Sequence, residues 1–468
     1  MDCLKDRALS EVALRALGNF GSKVPAEKVL PFLTDRRRSV STQALITLSK
    51  IIDTEEDFNN LKEIINNYLP FERFMDILSE AMRSESLELK RSGIKLLGFC
   101  GQAEHIDNLL EQGLNEELTC HVEEALLKIC RRMPYAVESF LWKGFPEKRR
   151  FVARVMAVSG LPVFYTSFMK ALSEVDGHIV ATSARAVAEM GDRQSIEKLI
   201  PLLGHPFPDV QEAAVEAMVK LGRYLQTEEL KALLHSPSDI VRANATLVAG
   251  RLRRQSLITD IGLLTGDPSV QVRKAAAEAL AIMSTDEATA FLRRSLKDEE
   301  PEVKIAALSM LSGGLGQALV NDISALLKDP VAGVKVAAIR ALSRIKNKEI
   351  LALLRQLLLD RDPYIVVHAI EALRDDLSSQ TTEAIKSLLG HPDREVKRTA
   401  LEALSLRAEE KTIIPYLLSE DWALRLAAVR ALSRYPSQSS RKALKELYQV
   451  EEDPLIREAI RGVLNATT

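Results

Sequence analysis

Ten positions constrain this chain more than any other feature: Val180, Val210, Val241, Val272, Val303, Val334, Ile365, Val396, Leu424 and Ile456. The first step between them is 30 residues, the next six are 31, and the last two are 28 and 32. Each position opens the same short pattern: a β-branched residue or Leu, usually a basic residue next, Ala or Ile at +4, and often Ala-Leu at +7 and +8. A fixed period of this length means one supersecondary unit stacked on itself, since a unit that small cannot bury its own apolar face. An array of this kind offers a long surface more readily than a central pocket.

One unit shows why. Asp267-Pro268 stops a helix, because Pro cannot continue one and disfavours helix in the residue before it. A new helix is expected from near Ser269, with Val272, Ala276, Ala279 and Leu280 on one face at helical spacing and Lys274, Glu278 and Ala281 opposite. A second amphipathic stretch follows, carrying Ala288, Phe291, Leu292 and Leu296 on one face, and Asp298 to Pro301 restarts the cycle.

The loop Asp-Pro, the Val-Arg/Lys pair and the Ala-x-x-Ala-Leu tail stand as Asp267-Pro268, Val272-Arg273, Ala276 and Ala279-Leu280, and again as Asp329-Pro330, Val334-Lys335, Ala338 and Ala341-Leu342. This pattern resembles the HEAT-like repeats named after the phycobilin lyase family. The match is strong from Val175 onward and looser at Leu9, Val40, Leu89 and Val122. The resemblance implies an all-α fold, an α-α superhelix (a HEAT-like solenoid) of about 14–15 two-helix repeats. It also implies a structural ladder between adjacent repeats, built from an acidic loop residue and the basic residue six later. Asp267 with Arg273, Asp298 with Lys304, Asp329 with Lys335 and Glu451 with Arg457 are the candidate pairs. His205 and His391 take the acidic slot in their own repeats, where loop hydrogen bonds are expected of them rather than metal binding.

The first third is rougher, which divides the chain into irregular repeats over 1–171 and regular ones over 172–468. Between Leu48 and Leu89 the period stretches by about 18 residues, admitting the acidic run Asp53 to Asp57. Either an additional helix over Leu61 to Tyr68 or a longer loop near 50–75 would absorb this. Residues 135–168 hold eight of the chain's 23 aromatics, among them Trp142 and Phe145. These rings either fill a gap where stacking slips or form a partner-binding hot spot. Lys148, Arg149 and Arg150 beside them suit an acidic or phosphate-bearing partner, or a solvated turn. The first repeat signature, Leu9 to Leu17, has few residues ahead of it. Its opening helix is therefore either a cap or the remnant of a longer array, and the second is favoured.

By the resemblance, second helices line the concave side, with +2, +6 and +9 from each marker pointing outward. The +6 column runs Glu216, Leu247, Glu278, Ser309, Arg340, Glu371, Glu402 and Arg430, a mixed-charge stripe suited to specificity. The +2 column contains Ile305, Val336 and Val367 in succession. A contiguous apolar row rimmed by charge marks a binding site when exposed. The expectation is a groove centred on these three and flanked by Arg340, Glu371 and Arg374; the alternative is that neighbouring second helices bury them.

Composition narrows the function. Formal charge is −2, which argues against a protein that wraps a polyanion. No stretch of roughly 18 uninterrupted apolar residues predicts a membrane span, and no leader pattern opens the chain. Cys3, Cys100, Cys120 and Cys130 form no CxxC pair and read as buried thiols in a reducing cytosol. No metal site or cofactor is expected. Ser312 to Gly316 lacks a P-loop Lys and reads as an inter-repeat turn. HEAT-like iron hydroxylases carry His-Glu steps, and this sequence has none. The favoured function is a non-enzymatic scaffold or adaptor for a protein partner in a prokaryotic cytosol. The alternatives are a phycobilin-lyase-like chromophore-attachment subunit and a HEAT-like DNA-binding protein, the latter disfavoured by four Glu against two Arg in the +6 stripe.

Overall fold

A computed structural model describes Leu4, Asp6 and residues 8–311, 313–345, 347–407, 410–434 and 437–465. Cys3 and Ser312 lie outside the described residues. Every regular element among the described residues is a helix. The helices group into two compact units, Met1–Leu225 and Gln226–Thr468.

In each unit the helices alternate between first and second members of a pair. Seven second helices occupy the first unit: Ser10–Gly18, Arg38–Ile51, Leu87–Cys100, Thr119–Arg132, Pro146–Ser159, Gly177–Met190 and Pro208–Lys220. Eight occupy the second: Asp239–Arg251, Val270–Met283, Pro301–Ser309, Ala332–Ser343, Pro363–Ala372, Arg394–Leu404, Trp422–Leu432 and Pro454–Asn465. Within each unit every second helix packs on the one before and the one after it. The stacked-pair architecture expected from the period is the observed one, and its repeat number falls in the expected range.

The marker residues are the centre of this packing. Val180, Val210, Val272, Val303, Val334, Ile365, Val396 and Ile456 are completely buried, and Leu424 nearly so; Val241 is half-buried. Burying a side chain of this size contributes about 1.5–3 kcal/mol. An isolated helix of 9–14 residues is marginal in water, so its neighbours supply most of its stability. The expected buried face of Val270–Met283 is confirmed at Val272, Ala276, Ala279 and Leu280, but Ala281, assigned to the opposite face, is buried as well. The reason is geometric. Each internal second helix is flanked on two sides by other second helices and on a third by its own first helix, which leaves a narrow outward strip.

The loops repeat as faithfully as the helices. Most first helices of the regular repeats end in a short 3-10 turn, such as Leu264–Gly266, Leu326–Lys328, Leu357–Leu359 and Leu388–Gly390. One extended residue follows: Asp267 (φ −62°, ψ 144°), Asp329 (−62°, 140°), Asp360 (−64°, 147°) and His391 (−64°, 142°) share nearly one conformation. The side chain there accepts the amide of the residue two later, which turns the chain into the next N-cap. Ser269 donates to Asp267 at 2.9 Å, Val331 to Asp329 at 2.9 Å and Asp362 to Asp360 at 2.9 Å. His205 and His391 do the same through Nδ1, accepting from Phe207 at 3.2 Å and Asp393 at 3.0 Å, as expected of them.

The irregular stretches are repeats with additions. The lengthened period after Leu48 is filled by a full helix, Glu55–Tyr68, ahead of Phe71–Met82. Its acidic start is a capping box: the Thr54 hydroxyl accepts the Asp57 amide at 3.1 Å, and the Asp57 carboxylate accepts the Thr54 amide at 2.9 Å. Residues 313–316, expected to be part of a turn, lie instead in a short helix, Gly313–Ala318. In the aromatic segment, Pro146–Ser159 takes the second-helix position without the usual signature and ends at Gly160 in the left-handed region (φ 63°), where glycine is favoured.

The second helices Asp239–Arg251 and Val270–Met283 come close together where Gly250 meets Ala279; a Cβ on Gly250 would lie 2.5 Å from both Cα and Cβ of Ala279. Ala is intrinsically better than Gly in a helix by about 1 kcal/mol, whereas overpacking against fixed backbone costs about 1–3 kcal/mol. Gly250→Ala is therefore expected to lower the melting temperature. A thermal melt showing an increase would mean that the two helices can separate at little cost.

Candidate functional site

The ladder is present, but its pairing differs from the expected one. Arg273 does not meet the Asp267 carboxylate. It donates one Nη1 hydrogen to the Asp267 main-chain carbonyl at 3.1 Å, while Nε and Nη2 grip Asp298 of the next loop at 2.8 and 3.1 Å. Asp267 is held by Arg242 through Nε and Nη2, each at 2.9 Å, Asp329 by Lys304 at 2.8 Å, and Glu451 by Arg425 at 2.7 and 2.9 Å. Each basic residue thus spans about one repeat forward. Arg457, expected opposite the Glu451 side chain, donates to the Glu451 carbonyl at 2.8 Å. Lys335 continues the spacing, but no ion pair to Asp360 closes that rung, and Val366 is apolar where the next base would stand.

These carboxylates are largely shielded, with side-chain exposures of 6, 8, 4 and 3% for Asp267, Asp298, Asp329 and Glu451. Burial pushes the Asp298 carboxyl up, yet the hydrogen bond from Arg273 and the Glu300 amide together hold it below its ordinary value. Asp329 is lowered in the same way by Lys304 and the Val331 amide, and Glu451 chiefly by the hydrogen bond from Arg425. The ladder residues are therefore committed to structure.

The same holds for the basic trio beside the aromatic rings. Lys148 is buried and bridges Asp107 at 2.7 Å and Glu111 at 3.0 Å; Arg149 pairs with Glu174 and Arg150 with Asp176, each at 2.8 Å. All three are paired within the chain, and Arg149 serves as this repeat's rung. Phe151, Phe164 and Phe168 are buried packing residues, Trp142 is half-buried under the Lys170 ammonium, 4.5 Å from the ring centroid, and Phe145 and Tyr135 remain exposed. The cysteine expectation also needs correcting. Burial pushes the Cys100 thiol up to about 12 and Cys130 up to about 11, but Cys120 is exposed.

The +2 row does not form an exposed groove. Val336 is buried, and Ile305 and Val367 are half-buried, because +2 lies at the flank of the outward strip, against the adjoining second helix. The +6 positions Arg340 and Glu371 and the +9 position Arg374 are exposed. Glu371 and Arg374 meet Arg398 and Glu402 in a small cleft of about 70 Å³, with Glu371 also 2.8 Å from His368 Nδ1.

A larger cleft, about 230 Å³, lies on the second helices Arg38–Ile51, Leu87–Cys100 and Thr119–Arg132 of the first unit. Lys50, Glu88, Arg91, Lys95, His121, Glu124 and Lys128 line it. Lys50 pairs with Glu88 at 3.2 Å, Lys95 with Asp53 at 2.8 Å and Lys128 with Glu124 at 2.8 Å. Arg91 reaches only the Glu117 carbonyl, at 3.4 Å, and its buried Nε has no hydrogen-bond partner among the described residues. Sequence reasoning missed this site because the outward columns were read only along the regular repeats. Counted from Leu89 and Val122, the same +2 and +6 positions are Arg91, Lys95, Glu124 and Lys128.

Comparison with known proteins follows this geometry. The family described as HEAT repeats matches residues 165–239, 227–312, 320–405 and 381–465. No curated protein matches the chain. Among solved structures, yeast importin-beta (Kap95p) is similar at 11% identity and a TM-score of 0.55, covering 98% of this chain and 80% of its own. Kap95p in its complex with Nup1 aligns at 12% identity and a TM-score of 0.57, over 94% of this chain and 72% of its own. A mutant Kap121p aligns at 14% identity and a TM-score of 0.49 over 93% of this chain, which spans only 56% of that protein. Identities this low speak to fold alone.

The ladder carries a pH dependence. A carboxyl held below its unfolded value of about 4 contributes stability that is complete above that value and lost as pH falls through the folded-state value. Asp298→Asn keeps the acceptor for the Glu300 amide but removes the charge paired with Arg273. It is expected to cost roughly 1–3 kcal/mol at pH 7 and to make the loss of melting temperature between pH 5 and 3 shallower. Equal melting temperatures at pH 7 and parallel pH profiles would show the rung to be energetically silent.

Proposed function

The chain belongs to the HEAT-repeat family, and from that footing we propose that it is a non-catalytic adaptor which binds a protein partner along the outward strip of its second helices. The observation that carries this reading is the division of labour among the charged residues. The acids and bases of the ladder pair with each other, whereas Arg340 and Glu371 stand exposed on successive second helices and Arg374 on the turn just after the second of them. Kap95p, a protein of similar fold, has been solved in complex with Nup1, which supports a protein partner over a small substrate. Mixed charge on such a strip confers register and partner choice more than raw affinity. A reducing, prokaryotic cytosol remains the compartment proposed, in keeping with free thiols at Cys100, Cys120 and Cys130.

The test is capture of partners on the immobilised full chain from its native cytosol, followed by reconstitution with the purified partner. Replacing Arg340, Glu371 and Arg374 together by Ala is expected to leave the melting temperature nearly unchanged and to weaken the partner at least about tenfold, or 1.4 kcal/mol. Retention unaffected by the triple substitution would remove the strip from the binding surface.

A further inference from the structure

Two neighbouring repeats of the first unit gather basic residues at their outward positions. At the +2 and +6 positions of Leu87–Cys100 and Thr119–Arg132 stand Arg91, Lys95, Glu124 and Lys128. Lys50 adds a further ammonium from the preceding second helix, where the three helices enclose the 230 Å³ cleft. We infer that this cleft seats an acidic polypeptide segment whose carboxylates meet Arg91, Lys95 and Lys128. The inference rests on the reading of the second-helix strip as a binding surface and names the chemistry of the partner at one place on it.

Three observations favour this occupant. The carboxylates now facing the lysines are themselves mostly solvent-exposed, at 74% for Asp53, 63% for Glu88 and 64% for Glu124. Exposed pairs of this kind contribute only about 0–1 kcal/mol, so an incoming carboxylate exchanges with them at little cost. Arg91 has no carboxylate within ion-pair distance among the described residues, and its single contact, to the Glu117 carbonyl, is long. A planar guanidinium in a concave setting is the side chain best suited to grip a carboxylate by two parallel hydrogen bonds. The third observation separates polypeptide from nucleic acid. Glu88 and Glu124 in the lining would repel a continuous phosphate backbone, while a peptide can place a neutral or basic residue opposite them. Phe99 is buried beneath the Lys128 ammonium, 4.1 Å from its centroid, which withholds that ring from a base and leaves His121 as the ring in the lining.

The experiment is fluorescence anisotropy of a fluorescein-labelled peptide of alternating Glu and Gly titrated with the full chain at low and at physiological salt, beside the matching Lys-Gly peptide and a labelled DNA duplex. Saturable, salt-sensitive binding of the Glu-Gly peptide alone is expected. Arg91→Glu with Lys128→Glu should weaken it at least tenfold with the melting temperature preserved, and Arg91→Lys should retain part of it. Should the double variant fail to fold, Lys95→Gln with Lys128→Gln serves instead, with the same weakening expected. Binding that survives the folded variants, absence of saturation, or DNA bound as tightly through the same residues would each overturn the inference. Because the assay uses no native partner, its failure is distinct from failure of the adaptor reading, which the capture experiment decides separately.

Discussion

The whole architecture depends on one constraint: a helix of about three turns cannot hide its apolar face alone, and here its neighbours hide it. Most second helices bury a β-branched or Leu marker against their neighbours. Conformational entropy of about 1–2 kcal/mol per ordered residue opposes every pair, so burial of the marker and its Ala-rich surroundings must be nearly complete. Small residues make that possible. Ala and Gly along the second helices allow backbones to close on each other, as at Gly250 and Ala279.

Stacking alone leaves the angle between successive pairs open, and the loops restrain it. One residue after each 3-10 turn takes an extended conformation and accepts the amide two positions on. At Asp267, Asp298, Asp329 and Glu451 the carboxylate also receives a base from the preceding second helix. Arg273 shows the economy of the arrangement: one guanidinium ties its own loop carbonyl and the next loop's carboxylate together. The ladder runs through Asp267, Asp298 and Asp329, lapses at Asp360, and resumes at Glu451.

Periodicity made the fold legible, because the marker, the Ala at +4 and the loop Asp recur at fixed offsets that only a repeated helix pair satisfies. Finer geometry was legible only in part. The acid and base six apart in sequence suggested a pair, but a base on the first turn of a second helix points toward the following repeat, so its partner lies about 25 residues on. The row Ile305, Val336 and Val367 read as outward-facing because a helical wheel has one neighbour in mind, whereas each second helix has three. The basic cleft near Arg91 escaped notice because the looser repeats were not given the columns used for the regular ones. Cys120 shows the limit of composition: scarcity of cysteine suggested burial but did not assign this one to an exposed turn of a helix.

Local stacking, as opposed to one shared core, is tested most directly by amide hydrogen exchange on the full chain carrying Val303→Ala. Val303 is completely buried at the centre of its repeat. Protection should fall most in Pro301–Ser309, less in the flanking Val270–Met283 and Ala332–Ser343, and not at all in the helices of Met1–Leu225. An equal loss of protection across all described helices would contradict nearest-neighbour stabilisation.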